Sequence, residues 1–302
     1  MACVTPFFRE RCKLSNKVDL LEKIEHAFPK FSKGQKKIAN YIIKNYDKAA
    51  FMTAATLSDN TGVSCSTVVR FAVELGFEGY PELQKSLQEM VRTKLTAVQR
   101  MEVTSNRMGD RDVLSTILNY DILKIKQTLD EIDKSAFERA VETISNAKNI
   151  YILGVRSSAS LAGFLGFYLN LIFDNVKMVG ATSTSEIFEQ ILRVGKDDVV
   201  ISISFPRYSA RTVKALQYAK NQDAKIVAIT DSLTSPLTQY ANHTLIARSD
   251  IASFVDSLVA PLSVINALIV ALGMRKKENV YSSFDKLEKI WDEYNVYEKV
   301  EK

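Results

Sequence analysis

Apolar positions recur with two different periods along this 302-residue chain, and the change of period divides it in two. From Phe31 to Leu95 the spacing is helical throughout. Ser32-Lys33-Gly34-Gln35 reads as a capping box, and Ile38, Tyr41, Ile42 and Tyr46 then form an i, i+3, i+4, i+8 stripe. A second helix is predicted from Thr53 to Thr61, stopped by Gly62, and a third from Ser64 to Leu75, stopped by Gly76. Pro81 suits the first position of a fourth, with Glu82 in its first turn and an end near Thr93. A polar stretch follows, and two more helices are expected over Asp112–Glu131 and Lys134–Asn146.

Beyond them the pattern becomes short apolar runs separated by helical segments: Ile150–Leu153, Val176–Val179, Val199–Ile203, Ile226–Ile229 and Thr244–Ile246. Runs without strict alternation suit strands covered on both faces, which is the pattern of a parallel sheet between helices. The expected organisation is an all-α domain over residues 17–93, a linker over 94–111 and an α/β domain over 112–302 with a five-stranded, doubly wound parallel sheet. Ligands of such sheets sit outside the carboxyl ends of the strands, where helix N-termini offer free amides.

Within the helical part, residues 56–71 carry the pattern of a helix-turn-helix. Gly62 permits a left-handed corner, Val63 fills the space between the helices, and Ser64 caps the second helix. Val68, Phe71 and Leu75 share the inward face, leaving Cys65, Ser66, Val69 and Arg70 outward as a short reader for a major groove. Arg70 is expected to contact a base, because its fork matches guanine O6 and N7. Ser64, Thr67 and Tyr80 are expected at phosphates, with Lys33, Lys36 and Lys37 adding non-specific attraction.

Charge supports that assignment. The net +5 is uneven: residues 1–100 hold 16 Lys and Arg against 10 Asp and Glu, and the rest hold 24 against 25. The positive excess lies in the helical third, as expected of a part that meets a polyanion, here double-stranded operator DNA. The three cysteines, Cys3, Cys12 and Cys65, have no paired spacing, so neither a disulfide framework nor a zinc site is indicated and a cytoplasmic location is expected. Arg9, Glu10 and Arg11 interrupt any signal-peptide core, and the longest apolar stretch, Ser257–Met274, contains Pro261 and Asn266. It is read as a helix of a core or a subunit interface rather than a membrane span.

The α/β part concentrates hydroxyls at strand ends. Arg156, Ser157 and Ser158 follow the first strand, and Thr182 to Ser185 the second. Ser202 and Ser204 close the third, followed by Phe205-Pro206-Arg207-Tyr208-Ser209 and a helix that Ser209 caps. Thr230-Asp231-Ser232 follows the fourth. Hydroxyls and helix-start amides cradle a phosphate or carboxylate, and the two arginines add bidentate geometry. No glycine-rich dinucleotide fingerprint, Walker motif or metal cluster occurs, so no cofactor is expected.

At these residues the chain resembles the RpiR family of bacterial transcription regulators, which join an N-terminal helix-turn-helix to a C-terminal sugar isomerase (SIS) domain. The likeness runs over roughly residues 20 to 275. It is most specific in Val63-Ser64, Thr67 to Phe71, Leu75-Gly76-Phe77 and Gly79-Tyr80, and in the serine-rich turns. It implies a homodimer or homotetramer that binds paired half-sites and senses a phosphorylated sugar through Ser157, Ser158, Ser202, Ser204, Ser209 and Thr212. The chain departs from the commonest SIS pattern, since Phe205 and Pro206 follow Ser204 where glycine is usual, and Arg156 replaces a small residue. Arginine in both turns suits a sugar acid or another carboxylate as well as a hexose phosphate.

Two other readings follow from the same residues. SIS domains also occur in aldose–ketose isomerases, and Glu186, Asp231 and Asp250 lie on the side of the sheet where a carboxylate base would act. His26 and His243 do not, the first being in the helical part and the second before the fifth strand. A thiol in the reader helix, Cys65, is the basis for a redox-sensing DNA binder.

Overall fold

The computed structural model describes residues 20–94, 96, 98–101, 104, 112–180, 183–249 and 255–297. The chain forms two compact units, divided between Arg107 and Met108.

The first unit is helical: Leu20–Ala27 (α1), Lys33–Lys44 (α2), Tyr46–Ala49 (α3), Ala54–Thr61 (α4), Cys65–Glu74 (α5) and Tyr80–Lys94 (α6), with a short 3-10 turn at Phe28–Lys30. The capping box expected at Ser32 is present, with Ser32 and Gln35 bonding each other's backbone amides. Helix α2 ends at Asn45, which leaves the helical region (φ −135°, ψ 42°), so Tyr46 opens a separate helix instead of extending the stripe. Ile24, Ile38, Ile42, Leu57, Val68, Phe71, Leu83 and Leu87 close one core, in which the Phe31 and Phe71 rings lie 5.1 Å apart. Truncating Phe71 to alanine is expected to cost about 3–5 kcal/mol, the range for a large side chain with no accessible surface.

Inside the expected linker, residues 98–101 and 104 are helical rather than irregular. The second unit then opens with Val113–Glu131 (α7) and Lys134–Ser145 (α8), whose N-caps Asp112 and Asp133 each accept two backbone amides.

Five strands follow, Ile150–Gly154 (β1), Val176–Val179 (β2), Val199–Ile203 (β3), Lys225–Thr230 (β4) and His243–Ile246 (β5). They pair in parallel in the order β2-β1-β3-β4-β5, with Leu153 beside both Val179 and Ser202. All carboxyl ends therefore meet at one edge.

Alternation along the strands sorts the two faces. Ile150, Ile152, Ile201, Ile203, Val227 and Ile229 pack against α8, Ser158–Ile172 (α9) and Val259–Arg275 (α12). Tyr151, Leu153, Val200, Ile226 and Ala228 pack against Thr184–Gln190 (α10) and Ala210–Asn221 (α11). Covering both faces explains the near-continuous apolar runs. Strand β2 departs from that expectation: Lys177 and Met178 are exposed because it is an edge strand with a single neighbour. A last helix, Lys277–Glu293 (α13), buries none of its residues.

One glycine sets the geometry at the sheet edge. A Cβ on Gly154 would stand 2.6 Å from the Ser158 carbonyl oxygen and 2.8 Å from the Ala162 Cβ, so only glycine lets the start of α9 approach the end of β1. No single helix among the described residues is long and apolar enough to cross a membrane.

Candidate functional site

Helices α4 and α5 form the expected turn. Thr53 caps α4 by accepting from the Thr56 amide, Gly62 ends it at φ 61°, and Ser64 Oγ caps α5 by accepting from the Thr67 amide at 3.3 Å. Ser64 Oγ also lies 2.8 Å from Ser66 Oγ and 2.9 Å from Thr67 Oγ1. Val68, Phe71 and Ala72 turn inward. Cys65, Ser66, Val69 and Arg70 face outward, and Val69 keeps 43% of its surface. Arg70 makes no ion pair with a described residue, so its guanidinium is open to a partner.

Other details qualify the expected reader. Thr67 is half-buried, and Gly34 of α2 packs so close that a Cβ there would meet Thr67 Cγ2 at 3.1 Å. Its methyl thus abuts the body, while its hydroxyl stays with Ser64. Val73, one turn after Val69 and 54% exposed, extends the outward stripe and was absent from the sequence reading. The available signal was an apolar residue at the reader's own i+4 spacing, suited to a thymine methyl. Cys65 Sγ lies 3.3 Å from Ser58 Oγ.

Tyr80 needs correction. Its side chain is buried to 5% exposure in the bundle core, and its hydroxyl donates to the Met52 carbonyl at 2.7 Å. Burial pushes the phenol pKa up to about 12. A group committed to an internal carbonyl does not face phosphate; Tyr80 joins α6 to the loop before α4.

In the second unit, the residues singled out at the strand ends gather along the carboxyl edge of β1 and β3. These strands are neighbours, with Gly154 opposite Ile203, yet their following helices leave to opposite faces, α9 to one and α11 to the other. That divergence makes this the topological switch of the sheet, the place where open parallel sheets take their ligands. Arg156, Ser157 and Ser158 lie on the β1 side; Ser202, Ser204, Arg207, Ser209 and Thr212 lie on the β3 side.

Three features distinguish this edge. The Ser202 and Thr212 hydroxyls are wholly buried and have no hydrogen-bond partner, which is costly for a polar group. Arg156 and Arg207 adopt positive φ, 58° and 61°, a left-handed conformation that L side chains resist. Both are exposed, and neither forms an ion pair with a described residue. Ser157 and Ser209 occupy N-cap positions, but neither side chain makes a capping bond, contrary to the cap expected from Ser209. The backbone at Ser209 is extended, while its hydroxyl stays off the helix amides.

The carboxylates of this edge are engaged. Asp231 is 2% exposed and accepts the Tyr208 hydroxyl at 2.6 Å. Glu186 closes a capping box with Ser183. Asp250 and Thr182 lie outside the described residues. His243 heads β5 at the opposite end of the sheet, with Nε2 at 3.0 Å from Thr143 Oγ1, and its pKa is held below the ordinary histidine range by burial and by the positive Arg139 and Lys225. His26 belongs to α1 of the other unit. Among the described residues no group of three His, Cys, Asp or Glu side chains is placed to hold a metal.

Comparison with known proteins agrees with this two-part layout. Residues 18–94 match the helix-turn-helix domain of the rpiR family, and residues 143–271 match the SIS domain. An uncharacterised HTH-type transcriptional regulator of Haemophilus influenzae is 26% identical over 268 residues, covering 87% of this chain and 92% of the relative. Among solved structures, the sugar isomerase domain of an RpiR transcription factor from Sphaerobacter thermophilus is 27% identical with a TM-score of 0.56, covering 59% of this chain and 98% of that one. The Vibrio vulnificus NanR protein, solved with ManNAc-6P, shares the fold at 22% identity and a TM-score of 0.57, over 91% of this chain and 98% of its own. The chain thus joins a helix-turn-helix domain of the rpiR family to a SIS domain, the two parts of a DNA-binding transcriptional regulator.

Proposed function

We propose that the protein binds operator DNA through α5 and that a small anionic metabolite, a phosphorylated sugar, sets its affinity from the carboxyl edge of β1 and β3. The observation that carries this reading is the pair of unneutralised arginines beside the buried, unpartnered hydroxyls of Ser202 and Thr212. An anionic ligand supplies acceptors for the hydroxyls and negative charge for the arginines. In the DNA-binding unit, Arg70, Cys65, Ser66 and Val69 read base edges, and Ser64 and Thr67 lie nearest the backbone phosphates. At the sheet edge, Arg156, Ser157, Ser158, Ser202, Ser204, Arg207, Ser209 and Thr212 form the effector set. NanR, a fold relative, was solved with a sugar phosphate.

The reading is of binding without turnover. Isomerisation needs a free base over the substrate carbons. Asp231 is bonded to Tyr208, Glu186 to Ser183, and the His243 ring stands at the far end of the sheet. A homo-oligomer in the cytoplasm completes the proposal. Leu114, Leu118, Ile122 and Leu129 of α7 are all exposed, and large apolar side chains grouped on one helix suit a subunit interface.

The test uses full-length protein. Genomic fragments enriched by binding are titrated by fluorescence anisotropy with and without a panel of sugar phosphates. Arg70→Ala is expected to weaken the enriched site by about ten-fold or more, and at least one sugar phosphate to shift the wild-type affinity. Failure to enrich any fragment, or unchanged affinity in Arg70→Ala, refutes the DNA reading. Conversion of a sugar phosphate by the protein refutes the non-enzymatic one.

A further inference from the structure

We infer that the effector carries a carboxylate in addition to its phosphate, and that Arg156 and Arg207 hold this second anion. The inference rests on the effector reading above and narrows the class of ligand.

The backbone supplies the first argument. Among the described residues, four that are not glycine have positive φ: Arg156, Arg207, Asp223 and Asn295. Aspartate and asparagine tolerate this region because their short side chains bond the local backbone. Arginine has no such compensation, and glycine would fit both positions without strain. Two strained residues of one charged type, at the ends of two adjacent strands, mark a selected side chain at each place, since strain of this kind collects at ligand sites.

Charge accounting supplies the second. The buried Ser202 and Thr212 hydroxyls, with the uncapped starts of the 15-residue α9 and the 12-residue α11, already offer one anion hydroxyl and amide donors together with two helix dipoles. A phosphate is satisfied there. The two guanidiniums are additional, stand at the exposed rim, and are not neutralised from within: Asp231 and Glu186, the described carboxylates of this edge, bond Tyr208 and Ser183. A planar fork matches a planar carboxylate with two parallel hydrogen bonds. A neutral sugar hydroxyl at that place would leave two positive charges uncompensated.

The experiment compares matched ligands on the full-length protein by isothermal titration calorimetry. Three hexose 6-phosphates of gluco, manno and galacto configuration are each paired with the aldonic acid 6-phosphate of the same configuration. At least one acid is expected to bind roughly ten-fold or more tightly than its partner sugar, the ratio a charge-assisted bidentate contact supplies. Arg156→Gly and Arg207→Gly keep the left-handed backbone, so both variants are expected to melt at or above the wild-type temperature while losing most of that ratio. Hexose phosphates binding as tightly as the acids, or variants that retain the ratio, overturn the carboxylate assignment and leave the sugar phosphate reading standing. Binding of neither series overturns both.

Discussion

The hydroxyl of Tyr208 donates a 2.6 Å hydrogen bond to Oδ1 of Asp231, tying the loop after β3 to the carboxyl end of β4. The tie continues outward. Arg248 Nη1 donates to the Asp231 carbonyl oxygen at 3.4 Å, and Arg248 Nε donates to Glu131 on α7 at 2.6 Å. The loop that carries Arg207 is thus linked by hydrogen bonds to the first long helix of its unit.

Tyr208→Phe cuts this link at its first step. It removes a partner from a buried carboxylate, so unfolding by urea is expected to become easier by about 1–3 kcal/mol. Sugar phosphate affinity measured by calorimetry is expected to fall with it as the Arg207 loop loosens. Wild-type values of both quantities would show that the bond holds nothing in place.

Thr212→Val replaces a buried hydroxyl that has no partner with a methyl of similar shape. Relieving an unsatisfied polar group is expected to raise stability by about 1 kcal/mol or more, while the effector response of DNA binding is lost. Ser202→Ala is expected to behave alike. A variant less stable than wild type would show that the hydroxyl has a partner.

Tyr80→Phe is expected to leave operator affinity within about two-fold, since the phenol bonds the Met52 carbonyl inside the bundle. The pH dependence is specific. With the folded pKa raised to about 12 from 10.0, the unfolded chain releases its proton first, and stability falls as pH rises above 10. Phenylalanine removes that component. Melting curves between pH 8 and 11 check the difference between the two proteins.

The depressed pKa of His243 works in the opposite direction. Below its ordinary 6.5 the unfolded chain takes up a proton that the folded ring resists, so stability falls as pH drops through that window. Urea midpoints at about pH 7.5 and 5.5 are expected to fall less for His243→Gln than for wild type. Equal falls would show that other groups govern the acid side.

Leu118→Glu places a charge in the exposed apolar stripe of α7. Light scattering is expected to show wild type as a dimer or tetramer and the variant as a smaller species with unchanged circular dichroism. An unaltered mass would move the interface to another surface.

Much of this architecture could be read from the amino acids alone, for reasons that particular residues make plain. Ile150–Leu153 and Val199–Ile203 are buried on both sides and announce themselves as uninterrupted apolar runs. Gly62 and Ser64 have a single good use together, a left-handed corner followed by a cap. The sequence reading missed α1, which buries only Leu20 and Ile24, and α13, which buries nothing, because neither has enough inward residues to establish a period. Tyr80 was misplaced because its hydroxyl made it look like a surface donor, whereas Met52, its acceptor, lies 28 residues earlier. Arg156 and Arg207 were visible as charges, but their positive φ was not, since arginine is the wrong residue type from which to guess it.

That all five strands run in parallel has a consequence for how the chain comes into being. Every pairing needs a crossover, and β4 meets β5 only when residues 225–246 are both made. The helical unit closes its core within residues 20–91. Local contacts form faster than distant ones, and domains fold as they emerge from the ribosome. During synthesis the part that grips DNA is therefore finished well before the sheet, and a nascent regulator acquires its grip before it acquires its sense of the metabolite.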